Sequence, residues 1–297
     1  MALFNKKTTL VHHITYMGIM TAINLIFIIL ANFVPFLIFL LILLLPFAST
    51  IVSYYCLKRY YLIYAIASIG LCLIFNIPDT IFYVLPAIIT GFVIGVLLEK
   101  GAHPFWLVLF SSIIEAGLTF AFIPLINLIA NTDIVQDFLK IFKLDSFAYQ
   151  EIATYLFVYF ISLLQCILTQ FVLINDMKKM GIIVTSKVSS LAPYIIGLEI
   201  SLALVFTFAL FYTPLAFVFL EIAIYFAIFL LVDLLYSKKL IVYIVLVILC
   251  IASFFGFVLL YQRVTAPLGL LLVALFPLSI SVVSFVKIYL LKCESNI

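Results

Sequence analysis

Residues able to do polar chemistry are scarce in this chain, and three of them are glutamates set inside long apolar runs. Glu115 lies in WLVLFSSIIEAGLTFAFIPL, Glu199 in YIIGLEISLALVF and Glu221 in FVFLEIAIYF. A carboxyl group at the bilayer centre costs about 2.5–3.5 kcal/mol and is normally turned toward a bundle interior or a wet cavity. No Lys or Arg stands at matching depth, so each glutamate is expected to be protonated, hydrogen-bonded to a polar neighbour, or directed at a cationic or hydrogen-bonding ligand. Glu115 is ten residues into its span, or about 15 Å at the helical rise. Ser111, Ser112 and Thr119 stand three or four residues from it, on a shared helical face. Gln165 is expected level with it on the following span, and Asn24 somewhat higher on the first span. These six residues outline a pocket for a small molecule. The alternative for Glu115 is a protonated carboxyl that bonds one Gln or Ser and fixes helix packing. Glu199 and Glu221 have fewer polar neighbours, which favours packing, with coupling to a proton or sodium ion left open.

Other chemistries lack their residues. The chain has no GxxxxGK[ST] phosphate loop and no HExxH. His12, His13 and His103 fall at span ends, no Ser, His and acid trio shares one depth, and no acidic cluster suits a metal-dependent transferase. Catalysis, a cofactor, a bound metal and a nucleic-acid partner are therefore not expected. Cys56, Cys72, Cys166, Cys250 and Cys293 keep no metal or disulfide spacing and are read as lipid-facing or packing residues.

The elements that must carry these residues follow from composition. Of the 297 residues, 68% are hydrophobic and 9% charged, against about 45–50% and about 25% in soluble domains. The chain is expected to be an all-α polytopic transmembrane bundle, because strands of a barrel would alternate polar and apolar residues and these runs do not. About 20 residues cross the hydrocarbon, and punctuation cuts ten such pieces: 10–33, 35–57, 60–75, 80–98, 105–130, 152–174, 191–212, 214–236, 240–262 and 266–291. The first is too long for the core of a cleavable signal and is expected to be retained. With the N-terminus inside, 12 of the 15 basic residues fall on the cytoplasmic side, leaving Lys140, Lys143 and Arg263 outside. Both termini are then cytoplasmic.

Residues 131–151 form the one long outer connection. Asn131, Thr132 and Asp133 can cap a helix start, and Ile134, Val135, Phe138, Leu139 and Phe142 recur at helical spacing. This reads as an amphipathic interfacial helix, either a plain connection or a lid. The polar stretch 176–190 divides a six-span bundle over 1–175 from a four-span bundle over 191–297. Two small-residue steps, Gly18 with Ala22 and Gly91 with Gly95, are spaced for close helix approach, within the bundle or against another membrane subunit.

The segments YMGIMTAINLIF, LLLPFASTIVSYYCLKR and LPAIITGFVIGVLLEKG, in that order behind a basic N-terminus, resemble the S-components of bacterial energy-coupling factor vitamin transporters. With four further spans, the whole chain is similar to the YybS-like bacterial membrane proteins, whose first half is itself S-component-like. The resemblance is clearest over 10–130 and generic beyond 175. It implies a six-helix bundle in the bacterial cytoplasmic membrane that captures a small nutrient from outside and works with a membrane coupling protein and ATPases. It also implies that Gly18 and Ala22 face the coupling subunit. No ligand residue carries over, and the four extra spans put the shared ATPase module in doubt. A self-sufficient ion-coupled carrier and a non-transporting scaffold are the competing readings.

Overall fold

The computed structural model describes residues 9–33, 37–131, 133, 135–136, 140, 150–179, 192–235, 240–261 and 271–295. Among them the backbone is helical almost throughout and no residue is in a strand. Ten helices follow the expected spans: α1 (Leu10–Phe33), α2 (Leu37–Tyr55), α3 (Lys58–Phe75), α4 (Ile77–Glu99), α5 (Pro104–Ala130), α6 (Gln150–Lys179), α7 (Ala192–Phe211), α8 (Thr213–Leu235), α9 (Leu240–Tyr261) and α10 (Leu275–Ser295). Seven helical segments, those of α1, α3, α4, α5, α7, α8 and Leu272–Tyr289, are long and apolar enough to cross a bilayer. The protein is a multi-pass membrane protein. Helices are the form such runs must take, since hydrocarbon offers no partner to a free N–H or C=O.

The breaks between helices have local causes. After α4, Gly101 adopts φ +69°, which a glycine reaches without a Cβ clash. Its N–H bonds the Leu98 carbonyl at 3.0 Å and the Ala102 N–H bonds that of Leu97 at 3.0 Å, a Schellman stop. His103 then caps α5, its Nδ1 accepting from the Phe105 N–H at 3.2 Å, with Pro104 in the first turn. Asn131 closes α5 in the left-handed region at φ 53°. Within α4 one π turn, Thr80–Val84, precedes Pro86, a residue with no N–H to continue the regular ladder.

The chain forms two compact units: Met1–Asp137 with Phe157–Lys187, and Phe138–Leu156 with Val188–Ile297. The first turns of α6, expected in the first bundle, group with the second unit. In the first unit α2 packs on α4 and on α1, α1 on α3, and α4 on α5. The α2–α4 approach is set by small residues. A Cβ placed on Gly91 would stand 2.4 Å from Ser49 Cβ and 2.8 Å from the Pro46 carbonyl oxygen, and one on Gly95 would stand 2.5 Å from Ser53 Cβ. Ser53 and Tyr61 also hydrogen-bond the α4 backbone, at Phe92 O (3.0 Å) and Ile88 O (2.6 Å). Lys58 and Glu99 pair at 2.8 Å, which brings the start of α3 and the end of α4 to one end of the unit.

In the second unit α7 and α8 form a tight hairpin and α10 packs on α8, α9 and α7. Gly197 lies under the Phe226 ring, and Phe208 stacks on Phe219 at 5.3 Å between centroids. Ser253 of α9 bonds the Ser279 hydroxyl and the Leu275 carbonyl of α10.

Candidate functional site

α5 carries Glu115 on the same face as the buried Ser111, and α6 brings Cys166 against it. Glu115 is 2% exposed, and its Oε2 accepts a hydrogen bond from Cys166 Sγ at 3.3 Å. No described basic residue pairs with it; Lys58 and Glu99 form an ion pair elsewhere in the unit. Leu107, Val108 and Ala116 on α5 and Leu163 on α6 are buried apolar side chains of the same two helices. A thiol is a weak donor, so the carboxyl group is left with a single weak partner in a dry setting.

The polar residues expected around Glu115 have different fates. Ser112 is buried, and its hydroxyl donates to the Leu109 carbonyl at 3.0 Å and lies 3.5 Å from the Tyr159 hydroxyl of α6. Thr119 spends its hydroxyl on the main-chain carbonyl of Glu115, at 3.0 Å, and so addresses the backbone rather than the carboxyl group. Ser111 is wholly buried, and its Oγ has no hydrogen-bond partner. Gln165 is buried on α6, and its neighbour Cys166 is the residue bonded to Glu115. Of the two readings of Cys166, lipid-facing or packing, its full burial leaves packing, to which the bond with Glu115 is added.

Asn24 belongs to a different polar group. Its Nδ2 donates to the Tyr64 hydroxyl at 2.8 Å, a group also 3.1 Å from Ser49 Oγ, which ties α1, α2 and α3 together. A turn away, Thr21 and Ser68 share a hydrogen bond of 3.0 Å. Among the described residues no hydrogen bond joins Asn24 to Glu115; its Nδ2 goes to Tyr64 while its Oδ1 is buried without a partner, and the contact made by Glu115 is the one between α5 and α6.

A signal in α6 would have found more of the site. Ser162, Gln165, Cys166, Thr169 and Gln170 are all buried, and their spacing of three, four, seven and eight residues is one face of a helix. Thr169 is fully buried, and its Oγ1 has no partner.

In the second unit Glu199 is exposed and accepts a hydrogen bond from the Ser281 hydroxyl of α10. Glu221 is half-buried, and its Oε2 is enclosed without a partner. The two small-residue steps also part company. Gly91 and Gly95 are covered by α2 inside the first unit, so of their two expected uses the contact within the bundle holds and the docking face does not. Gly18 and Ala22 are exposed, and a Cβ on Gly18 would meet nothing within 4 Å. Asp133 Oδ1 accepts from the Gln136 N–H at 3.1 Å, a helix-start cap. The rest of the expected interfacial helix, at 132, 134, 137–139 and 141–149, lies outside the described residues. Among the described residues no group of three or more His, Cys, Asp and Glu is placed to hold a metal.

No protein-family model matches the chain, and no curated protein or solved structure matches it either.

Proposed function

We propose that this membrane protein binds a small solute within its first unit, at Glu115, and serves its uptake in the manner of an S-component, driven by a separate coupling protein and ATPases. The reading rests on one observation: a carboxyl group 2% exposed, without a basic partner, held by a single thiol. Such a group is costly in hydrocarbon and is retained where it meets a substrate or an ion. The exposed Gly18 and Ala22 on α1 agree with a docking face for the coupling protein. The same reading places the chain in a bacterial cytoplasmic membrane with both termini inside, assigns it to the YybS-like group, and gives it no catalytic step and no nucleic-acid partner. Mass spectrometry of small molecules that co-purify with the detergent-solubilised protein is the test. One compound retained by the wild type and lost from Glu115→Gln supports the reading; the same profile in both proteins, with partner binding intact, favours a scaffold.

Glu221 favours a second reading, because its Oε2 is enclosed and unpaired in a helix of the second unit. An ion-coupled carrier would use such a group to bind and release a proton or sodium ion. Purified protein in liposomes then moves solute under an ion gradient without any ATPase, and Glu221→Gln stops it.

A further inference from the structure

Several hydroxyl groups on the helices of the first unit fold back on the carbonyl one turn earlier: Thr50 on Pro46 at 2.7 Å, Thr119 on Glu115 at 3.0 Å, Ser162 on Val158 at 2.9 Å. Ser111, Thr169 and Thr90 on α4 are 0% exposed with no partner for the hydroxyl oxygen, and the first two lie on the helices that carry Glu115 and Cys166. Ser111 precedes Glu115 by four residues, so it stands about 40° from it around α5; Thr169 follows Cys166 by three, about 60° from it around α6. These two unpaired hydroxyls therefore both lie about one turn from the Glu115–Cys166 contact, on the helix faces that make it. Glu115 Oε1 is a third acceptor, since the bond from Cys166 goes to Oε2.

We infer that the Glu115 site takes a small primary amine in its ammonium form, carried on an apolar body. This rests on the solute-binding reading above and specifies its ligand. An ammonium group has three N–H donors and no acceptor. The site has three acceptors to receive them: Glu115 Oε1, Ser111 Oγ and Thr169 Oγ1. Charge selects in the same direction, because an anion would meet a carboxylate with no described base to offset it. A neutral alcohol leaves the carboxyl group protonated and gains no charge-assisted bond. Leu107, Val108 and Ala116 on α5 and Leu163 on α6 are buried apolar residues of the same helices, and such surroundings suit a hydrocarbon or aromatic body.

Benzylamine, benzyl alcohol and benzoate share one ring and differ only in the polar group. Calorimetric titration of each into the detergent-solubilised full chain tests the inference. Benzylamine is expected to bind about tenfold or more tighter than benzyl alcohol, the size of a hydrogen bond to a charged partner, and benzoate weakest. Glu115→Gln should remove that preference, bringing benzylamine affinity down to the level of the alcohol. Ser111→Ala and Thr169→Val should each weaken benzylamine a few-fold, and they decide the matter if Glu115→Gln does not fold. Benzoate or the alcohol binding as tightly as the amine overturns the inference, as does amine affinity indifferent to these substitutions. In the first case the solute-binding reading survives. If none of the three probes binds, the amine assignment falls, and a compound still co-purifying in a Glu115-dependent way would keep the broader reading alive.

Discussion

Replacing Gly91 by alanine should loosen the first unit by separating α2 from α4. The new Cβ would stand 2.4 Å from Ser49 Cβ, 2.8 Å from Pro46 O and 2.9 Å from Thr50 N. Carbon atoms in contact prefer about 3.5–4.0 Å, so the helices must part by about 1 Å. Two of the three obstacles are backbone atoms, which no rotamer change can move aside. Overpacking of this kind costs about 1–3 kcal/mol. Against this, alanine is the better helix former by about 0.5–1 kcal/mol, so a net loss of roughly 1–2 kcal/mol is expected. Separation also strains the bonds from Ser53 to Phe92 O and from Ser49 to Tyr64. The assay is thermal unfolding of the detergent-solubilised protein, followed by tryptophan fluorescence and by loss of the monodisperse peak on size exclusion. Gly18→Ala is the control, because nothing lies within 4 Å of its added methyl group. Gly91→Ala melting at or above Gly18→Ala would refute the reasoning and mean that α2 and α4 are not in this contact.

Three further outcomes follow from the geometry. Tyr64→Phe removes the acceptor of Asn24 Nδ2 and the partner of Ser49; a loss of about 1–2 kcal/mol is expected in the same melting assay, and an unchanged midpoint would mean the hub is not formed. Gly197→Ala places a Cβ 2.6 Å from the Phe226 ring, a side chain that can swing, so it should destabilise less than Gly91→Ala, and adding Phe226→Leu should restore the wild-type midpoint. Lys58→Ala breaks the pair with Glu99, whose partners are 47% and 33% exposed; a change under about 1 kcal/mol is expected, and a larger one would mean that the pair sits in a drier setting than the structure places it.

Span positions were legible because they depend on a local quantity, the length of apolar chain that crosses hydrocarbon. The run expected over 10–33 is the helix Leu10–Phe33, and that expected over 214–236 is Thr213–Leu235. The burial of Glu115 and Ser111 together, one turn apart on α5, agrees with the same arithmetic of the helical turn. The turn at Lys100, Gly101 and His103 is likewise written locally, in a glycine able to reach positive φ and a histidine ahead of Pro104.

Rotation of each helix about its axis was decided by tertiary packing. Gln165 and Cys166 differ by about 100° on α6, and only the docked helix tells which of them meets Glu115; Cys166, apolar by composition, is the one that bonds it. Asn24 looked available to Glu115 by depth, yet Tyr64 on α3 takes its amide. The two small-residue steps are alike in sequence, but α2 covers Gly91 and Gly95 while Gly18 stays open. Hydropathy measures how deep a residue can sit, and that belongs to the sequence. Which neighbour it faces is a property of pairs of surfaces, and those surfaces exist only once the helices have packed.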